Sequence, residues 1–150
     1  MSKLLAGTPL KLKDGSEVDA GSYLDGKVVG LYFSASWCPP CRGFTPKLKE
    51  FYEKIKKTHP EFEVVFVSRD RESDCLVNYF LDHMGDWTYI PFGNDQIQYI
   101  LSKYEVKTIP AMRVIKPDGQ VVVKDARTEI QDKGIEDPEA LWEEWMAFYD

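Results

Sequence analysis

The stretch "SASWCPPCRGFTP" (residues 34–46) carries two cysteines, Cys38 and Cys41, separated by Pro39 and Pro40 and preceded by Trp37. Thiols at this spacing could ligate a metal, form a structural crosslink or work as a redox couple. Zinc would need two further ligands, and the chain offers Cys75, His59 and His83 with no second close pair. A structural bridge would close a tiny loop and contribute little. Peroxidatic chemistry by a lone cysteine would not need a second thiol so near. Exchange between two thiols uses both. With Cys38 as N-cap, Pro39 takes the first helical position, where its missing N–H costs nothing, and Pro40 has no N–H either. The nearest amide left to a Cys38 thiolate is that of Cys41, and the helix dipole adds its positive end. Both effects favour the anion, so Cys38 is expected below the free-thiol pKa of about 8.5. Cys41, one turn further, is expected to be covered and suited to resolving a mixed disulfide.

Such a pair must be positioned by the elements around it. "KVVGLYFSAS" (27–36) and "FEVVFVS" (62–68) are short apolar runs rich in Val and Phe, as strands buried on both faces are. Between them Phe44, Leu48, Phe51, Tyr52 and Ile55 recur at helical spacing over about Pro39 to Thr58, completing a strand, helix, strand unit. Pro46 removes one helical amide and predicts a kink. Val77, Phe80, Leu81 and Met84 mark another helix, and Ile97, Ile100 and Leu101 a third. "AMRVIKPDGQVVVKD" predicts a hairpin turning at Pro117, Asp118 and Gly119, and "LKLKDGSEV" an earlier one. Asp137 and Pro138 read as N-cap and first turn of a last helix that presents Leu141, Trp142, Trp145 and Phe148 to the core. In open α/β sheets chemistry gathers outside the carboxyl ends of the strands, which is where Cys38 and Cys41 fall.

Composition narrows the partners. At 150 residues and 43% hydrophobic content, one domain over 1–150 is expected, able to bury a core without disulfide staples. A formal charge of −6 disfavours nucleic acid or an anionic membrane as main partner. The lysines from Lys47 to Lys57 alternate with Glu50 and Glu53 at i,i+4 spacing, as on a solvated helix face. Three cysteines and a three-residue apolar run near the N-terminus do not resemble a secreted scaffold or a signal peptide, and no run nears the roughly 18 apolar residues of a membrane span. The expectation is a cytoplasmic monomer, with the nucleus as a further location. His59 and His83 lie where helix C-termini are predicted, and Cys75, just before Leu76 and Val77, is expected to be partly buried and slow to react.

"FSASWCPPCRGFTP", followed by "FYEK", "FEVVFVSRD", "YFLDHM" and "TIPAM", resembles the tryparedoxin and nucleoredoxin branch of the thioredoxin superfamily from about Gly26 to Lys133. The resemblance implies an α/β thioredoxin fold: a central mixed β-sheet flanked by helices, here with an N-terminal hairpin and an extra C-terminal helix. It implies Cys38 as nucleophile, Cys41 as resolving thiol, and a cis Ile109–Pro110 bond whose Ile109 backbone pairs with substrate. Trp37 would cover the dithiol and contact substrate, the alternative being a packing residue at the strand end. Arg127 would lie near the substrate face, or else form an edge-strand salt bridge.

Two departures qualify the resemblance. Where tryparedoxins carry a tryptophan and acids that help bind a dithiol polyamine, this chain reads "SRDRESD", with Arg69 and Arg71. Thioredoxin's buried aspartate on the strand before the dithiol is also missing, Tyr32 being the one ionisable group in "VVGLYFSAS". Asp70, past the next strand, and water are the candidates to move the Cys41 proton. The expected function is thiol–disulfide oxidoreduction of protein disulfides, recycled by a reductase or a low-molecular-weight thiol, without metal or organic cofactor. The alternative is a redox-sensitive module that regulates a signalling partner without turnover.

Overall fold

The computed structural model describes residues 5–149; residues 1–4, part of the stretch read against a signal peptide, lie outside the described residues. Seven strands form one sheet: β1 (Pro9–Lys11), β2 (Glu17–Asp19), β3 (Val28–Ser34), β4 (Phe62–Ser68), β5 (Thr88–Tyr89), β6 (Ala111–Ile115) and β7 (Val121–Val123), in the order β2-β1-β5-β4-β3-β6-β7. The centre is the parallel pair β3 and β4, with β5 parallel on one side and β6 antiparallel on the other. The predicted hairpins are both present, as β1–β2 and β6–β7. Gly119 adopts φ 91° at the second turn, a left-handed conformation open to glycine, while Asp118 Oδ1 accepts the Gln120 N–H at 3.0 Å.

All seven residues of β3 and of β4 are buried, as two-faced apolar strands should be. Tyr32, Val64 and Phe66 face one layer of core, and Leu31, Phe33, Val65 and Val67 the other. The first layer lies under α2 (Pro39–Thr58), α3 (Ser73–His83) and α6 (Pro138–Tyr149). The second includes Ala20 and Leu24, at the short α1 (Ala20–Tyr23), and Ile100 and Leu101 of α4 (Asp95–Lys103). A four-residue α5 (Ala126–Glu129) runs into a π-helical turn, Ile130–Gly134. Among the described residues no helix is long and apolar enough to cross a membrane.

α2 begins and ends for local reasons. Cys38 caps it, Pro39 and Pro40 fill its first two positions, and His59 closes it just before Pro60. Its buried residues, from Cys41 through Phe44, Leu48, Phe51, Tyr52 and Ile55, trace one helical stripe. The C-terminal helix seals the far end of that stripe: Trp145 meets Phe51 edge-on at 5.3 Å, and Trp142 stacks on His59 at 4.7 Å. His59 Nε2 also pairs with Glu139 Oε2 at 2.9 Å.

Two helical faces differ from expectation. Leu81 is exposed on α3, whose buried residues are Leu76, Tyr79 and Phe80. Phe148 is exposed on α6, which buries Leu141, Trp142 and Trp145. Hydrophobic spacing identifies residues on a shared stripe, but the stripe is covered only as far as the neighbouring element reaches. β5, α5 and the π turn were not predicted, being too short to carry a period.

Candidate active site

β3 delivers the chain to the carboxyl end of the sheet, and α2 leaves from it. Cys38 Sγ accepts the Cys41 N–H at 3.3 Å, so the helix cap expected from the prolines is present. Cys38 and Cys41 are joined by a disulfide, with Cα atoms 5.2 Å apart. Together with Ala35 they form a small buried cluster against Ile109, separate from the two core layers. Cys41 is fully buried, Cys38 retains 5% exposure, and Trp37 stands 56% exposed beside them. The Ile109–Pro110 bond is cis, and the Ile109 carbonyl oxygen lies 3.8 Å from Cys38 Sγ. Pro39 and Pro40 are exposed at the head of the helix, and Pro110 is buried. Cys38 and Ile109 thus meet from two loops, with Trp37 next to Cys38 in the chain.

The loop carrying Trp37 and Cys38 is held at Ser36. Asp70 Oδ1 accepts both the Ser36 N–H, at 2.9 Å, and the Ser36 hydroxyl, at 2.5 Å. Asp70 Oδ2 accepts the Ser68 hydroxyl at 2.7 Å. From the other side Arg42 Nε donates to the Ser36 carbonyl at 2.6 Å, while its Nη1 lies 3.2 Å from His83 Nε2. Ser36 is therefore gripped through its amide, hydroxyl and carbonyl. Asp70, expected as a proton-transfer candidate, stands beside this loop with its carboxylate engaged by Ser36 and Ser68.

A second network lies behind the dithiol. The Thr45 hydroxyl donates to the Cys41 carbonyl at 2.9 Å, and Tyr32 and Tyr79 each bring a hydroxyl within 2.7 Å of Thr45 Oγ1. Thr45 has spent its single proton, so both tyrosines donate to it, and Tyr79 in turn accepts from Ser34 at 2.9 Å. Burial, and then the neighbouring Tyr79, push the Tyr32 phenol well above its ordinary pKa, which keeps it a protonated donor. In place of the missing acid stands a chain of four bonded hydroxyl groups that reaches the Cys41 carbonyl through Thr45. The signal was available: Ser34, Tyr32 and Thr45 are hydroxyls on apolar faces. What was lacking was Tyr79, 34 residues beyond Thr45.

Arg127 lines a cleft with Pro110 and, among the described residues, makes no ion pair, so the edge-strand salt bridge is absent. Cys75 corrects an expectation: it is exposed, not partly buried. It lines a cleft of about 470 Å³ with Ser36, Trp37, Asp70, Arg71 and Glu72. Its neighbour Leu76 is buried because one helical step turns about 100° around the axis. Among the described residues no three His, Cys, Asp or Glu side chains converge as a metal site would need.

Comparison with known proteins agrees with this geometry. The family model described as thioredoxin-like matches residues 26–121. The chain is 43% identical to a tryparedoxin of Trypanosoma brucei brucei over 97% of this chain and 96% of that one. It is 38% identical to the nucleoredoxin of Bos taurus over 85% of this chain and 29% of that protein, so it spans under a third of the length of that relative. The crystal structure of a thioredoxin from Wuchereria bancrofti superimposes with a TM-score of 0.81 at 46% identity, covering 96% of this chain and 97% of that one. A helix-capping cysteine in disulfide linkage with the first turn, faced by a cis-proline loop on a mixed sheet, and these matches together make the chain a member of the thioredoxin-like oxidoreductase family, alongside the tryparedoxins and nucleoredoxins.

Proposed function

We propose that the chain reduces protein disulfides by dithiol exchange. The observation that carries this reading is Cys38 Sγ at the helix cap, accepting the Cys41 amide beside the Ile109 carbonyl. In the reduced protein the same amide and the helix dipole favour a Cys38 thiolate. That thiolate attacks one sulfur of the substrate disulfide, and the other substrate sulfur leaves as a thiolate and takes a proton from water. Cys41, its proton lost to solvent, then attacks Cys38 Sγ. The second substrate sulfur departs, and the Cys38–Cys41 disulfide closes. Two electrons have passed from the dithiol to the substrate, and a reductase or low-molecular-weight thiol returns them. Trp37 and the Ile109 backbone contact the substrate. Asp70 and Arg42 act through Ser36, keeping the attacking sulfur and Trp37 in register.

The test is trapping. Cys41→Ser should accumulate covalent mixed disulfides with several proteins, because attack proceeds and resolution fails, whereas Cys38→Ser should accumulate none. Wild type should turn over a model disulfide with a suitable donor. Equal trapping by both variants would reject the assigned roles. Redox-dependent, non-covalent binding of one partner with negligible turnover would favour a regulatory module.

A further inference from the structure

Beside the cis-proline loop that faces the dithiol, two clefts gather positive charge. A cleft of about 500 Å³ runs from Pro110 past Lys107, Arg113, Lys124 and Arg127. A second, of about 250 Å³, shares Arg113 and Lys124 with it and continues to Lys103 and Tyr104. Five cations line the two clefts against two acids, Glu105 and Asp125, a local charge of 5 − 2 = +3 on a chain of formal charge −6. Asp125 is already engaged as the α5 N-cap, accepting the Thr128 N–H at 3.3 Å.

None of the five cations forms an ion pair among the described residues. Arg127 Nε is buried without a hydrogen-bond partner. Like charges gathered in excess of their counter-charges repel one another, and a bound polyanion relieves that repulsion. The two clefts adjoin, which suits an extended run of carboxylates better than one small anion. Pro110 lines the first cleft, and the preceding Ile109 carbonyl lies 3.8 Å from Cys38 Sγ.

We propose that this basic trough docks an acidic segment of the disulfide-bearing protein that Cys38 attacks, an inference that rests on the dithiol-exchange reading. The rest of the chain carries the net negative charge, so such a segment is on balance repelled elsewhere and drawn to these clefts. The trough thereby selects substrates whose disulfide lies beside a run of Asp or Glu, and orients them at encounter.

The test measures the second-order rate at which disulfides oxidise the pre-reduced protein, so that no electron donor is needed. Three probes serve: bis(2-hydroxyethyl) disulfide, which is neutral, and two synthetic peptides with one disulfide each, flanked by glutamates or by lysines. Each rate is divided by that probe's rate with dithiothreitol, which removes intrinsic reactivity. The glutamate peptide should be faster by about tenfold at low ionic strength, the lower range of electrostatic steering. The preference should collapse near 1 M salt, where the screening length is about 3 Å. Arg113→Gln with Lys124→Gln should bring the peptides towards parity, and Arg113→Glu with Lys124→Glu should invert their order. Equal rates for the two peptides with wild type would overturn the trough. So would a short single-stranded oligonucleotide that binds wild type but not the double variants while the peptides show no preference, which would assign the trough to nucleic acid. Failure of the neutral disulfide to oxidise wild type would instead sink dithiol exchange itself.

Discussion

The parallel pair β3 and β4 buries a carboxylate near each end, and the two are used differently. Near the amino end is Glu63, 1% exposed, accepting the Val64 N–H at 3.1 Å and the Tyr52 and Tyr23 hydroxyls at 3.2 and 3.4 Å, with Lys56 and Lys27 at 3.5 and 4.0 Å. Past the carboxyl end is Asp70, whose oxygens serve Ser36 and Ser68. Glu63 ties together side chains from α1, β4 and α2, so its bonds hold elements to one another. Asp70 ties down one residue two positions before Cys38, so its bonds hold a loop in place. Burial, outweighing the nearby lysines, raises the Glu63 pKa above the usual carboxylate range. One carboxylate should therefore matter chiefly to stability and the other chiefly to the dithiol.

Removing Glu63 should give the largest effect. Glu63→Ala removes the carboxylate shared by two tyrosine hydroxyls and two lysines; because Tyr52 keeps the Asp86 carbonyl, Lys56 keeps the Phe62 carbonyl and both lysines keep partial contact with water, the cost should be about 2–3 kcal/mol, below that of a fully buried pair. Urea denaturation should show it, with the Cys38 alkylation rate of the reduced protein unchanged. A large change in that rate would mean that the two ends are coupled.

A smaller stability change, with the opposite functional consequence, is expected at the other end. Asp70→Asn retains an acceptor but loses the charge, costing about 1 kcal/mol. It should nonetheless alter the Cys38 alkylation rate several-fold and change the response of Trp37 fluorescence to reduction. If both readouts stay at wild-type values, Ser36 is held well enough by Arg42 alone, and the contrast between the ends fails.

The smallest expected effect is a drift with pH. A carboxyl whose folded pKa lies above its unfolded value stabilises the fold below the unfolded pKa and loses that contribution as pH rises through the folded one. Wild type should therefore lose stability relative to Glu63→Gln as pH climbs from below 4.5, the unperturbed value, through the raised one. A drift in the opposite sense would show that Lys56 and Lys27 outweigh desolvation.

The central unit was legible in the chain because its causes are local. Two apolar runs without polar interruption give two-faced strands, a helical stripe joins them, and a cysteine before two prolines caps the helix through the first amide left. The redox pair followed from spacing over four residues. The cis Ile109–Pro110 bond was expected from resemblance alone, since no local feature of that dipeptide demands it.

Contacts between residues distant in sequence were not legible. Ser36 meets Asp70 across 34 residues, and Tyr52 meets Glu63 across 11, each through a hydrogen bond that the fold alone brings within reach. Leu81 and Phe148 carry the right spacing for burial but stay exposed, and Cys75 turns outward while Leu76 turns in. The basic trough likewise draws Lys103, Lys107, Arg113, Lys124 and Arg127 from α4, β6, α5 and the segments between, and only the packed fold makes them line adjoining clefts. Local chemistry in this chain therefore specified which sulfurs pair at the head of the helix, because capping and periodicity act over a few bonds. Where those sulfurs point, what holds their loop and what charge surrounds them required the tertiary structure, because hydrogen bonds, burial and Coulomb interactions depend on distance in space.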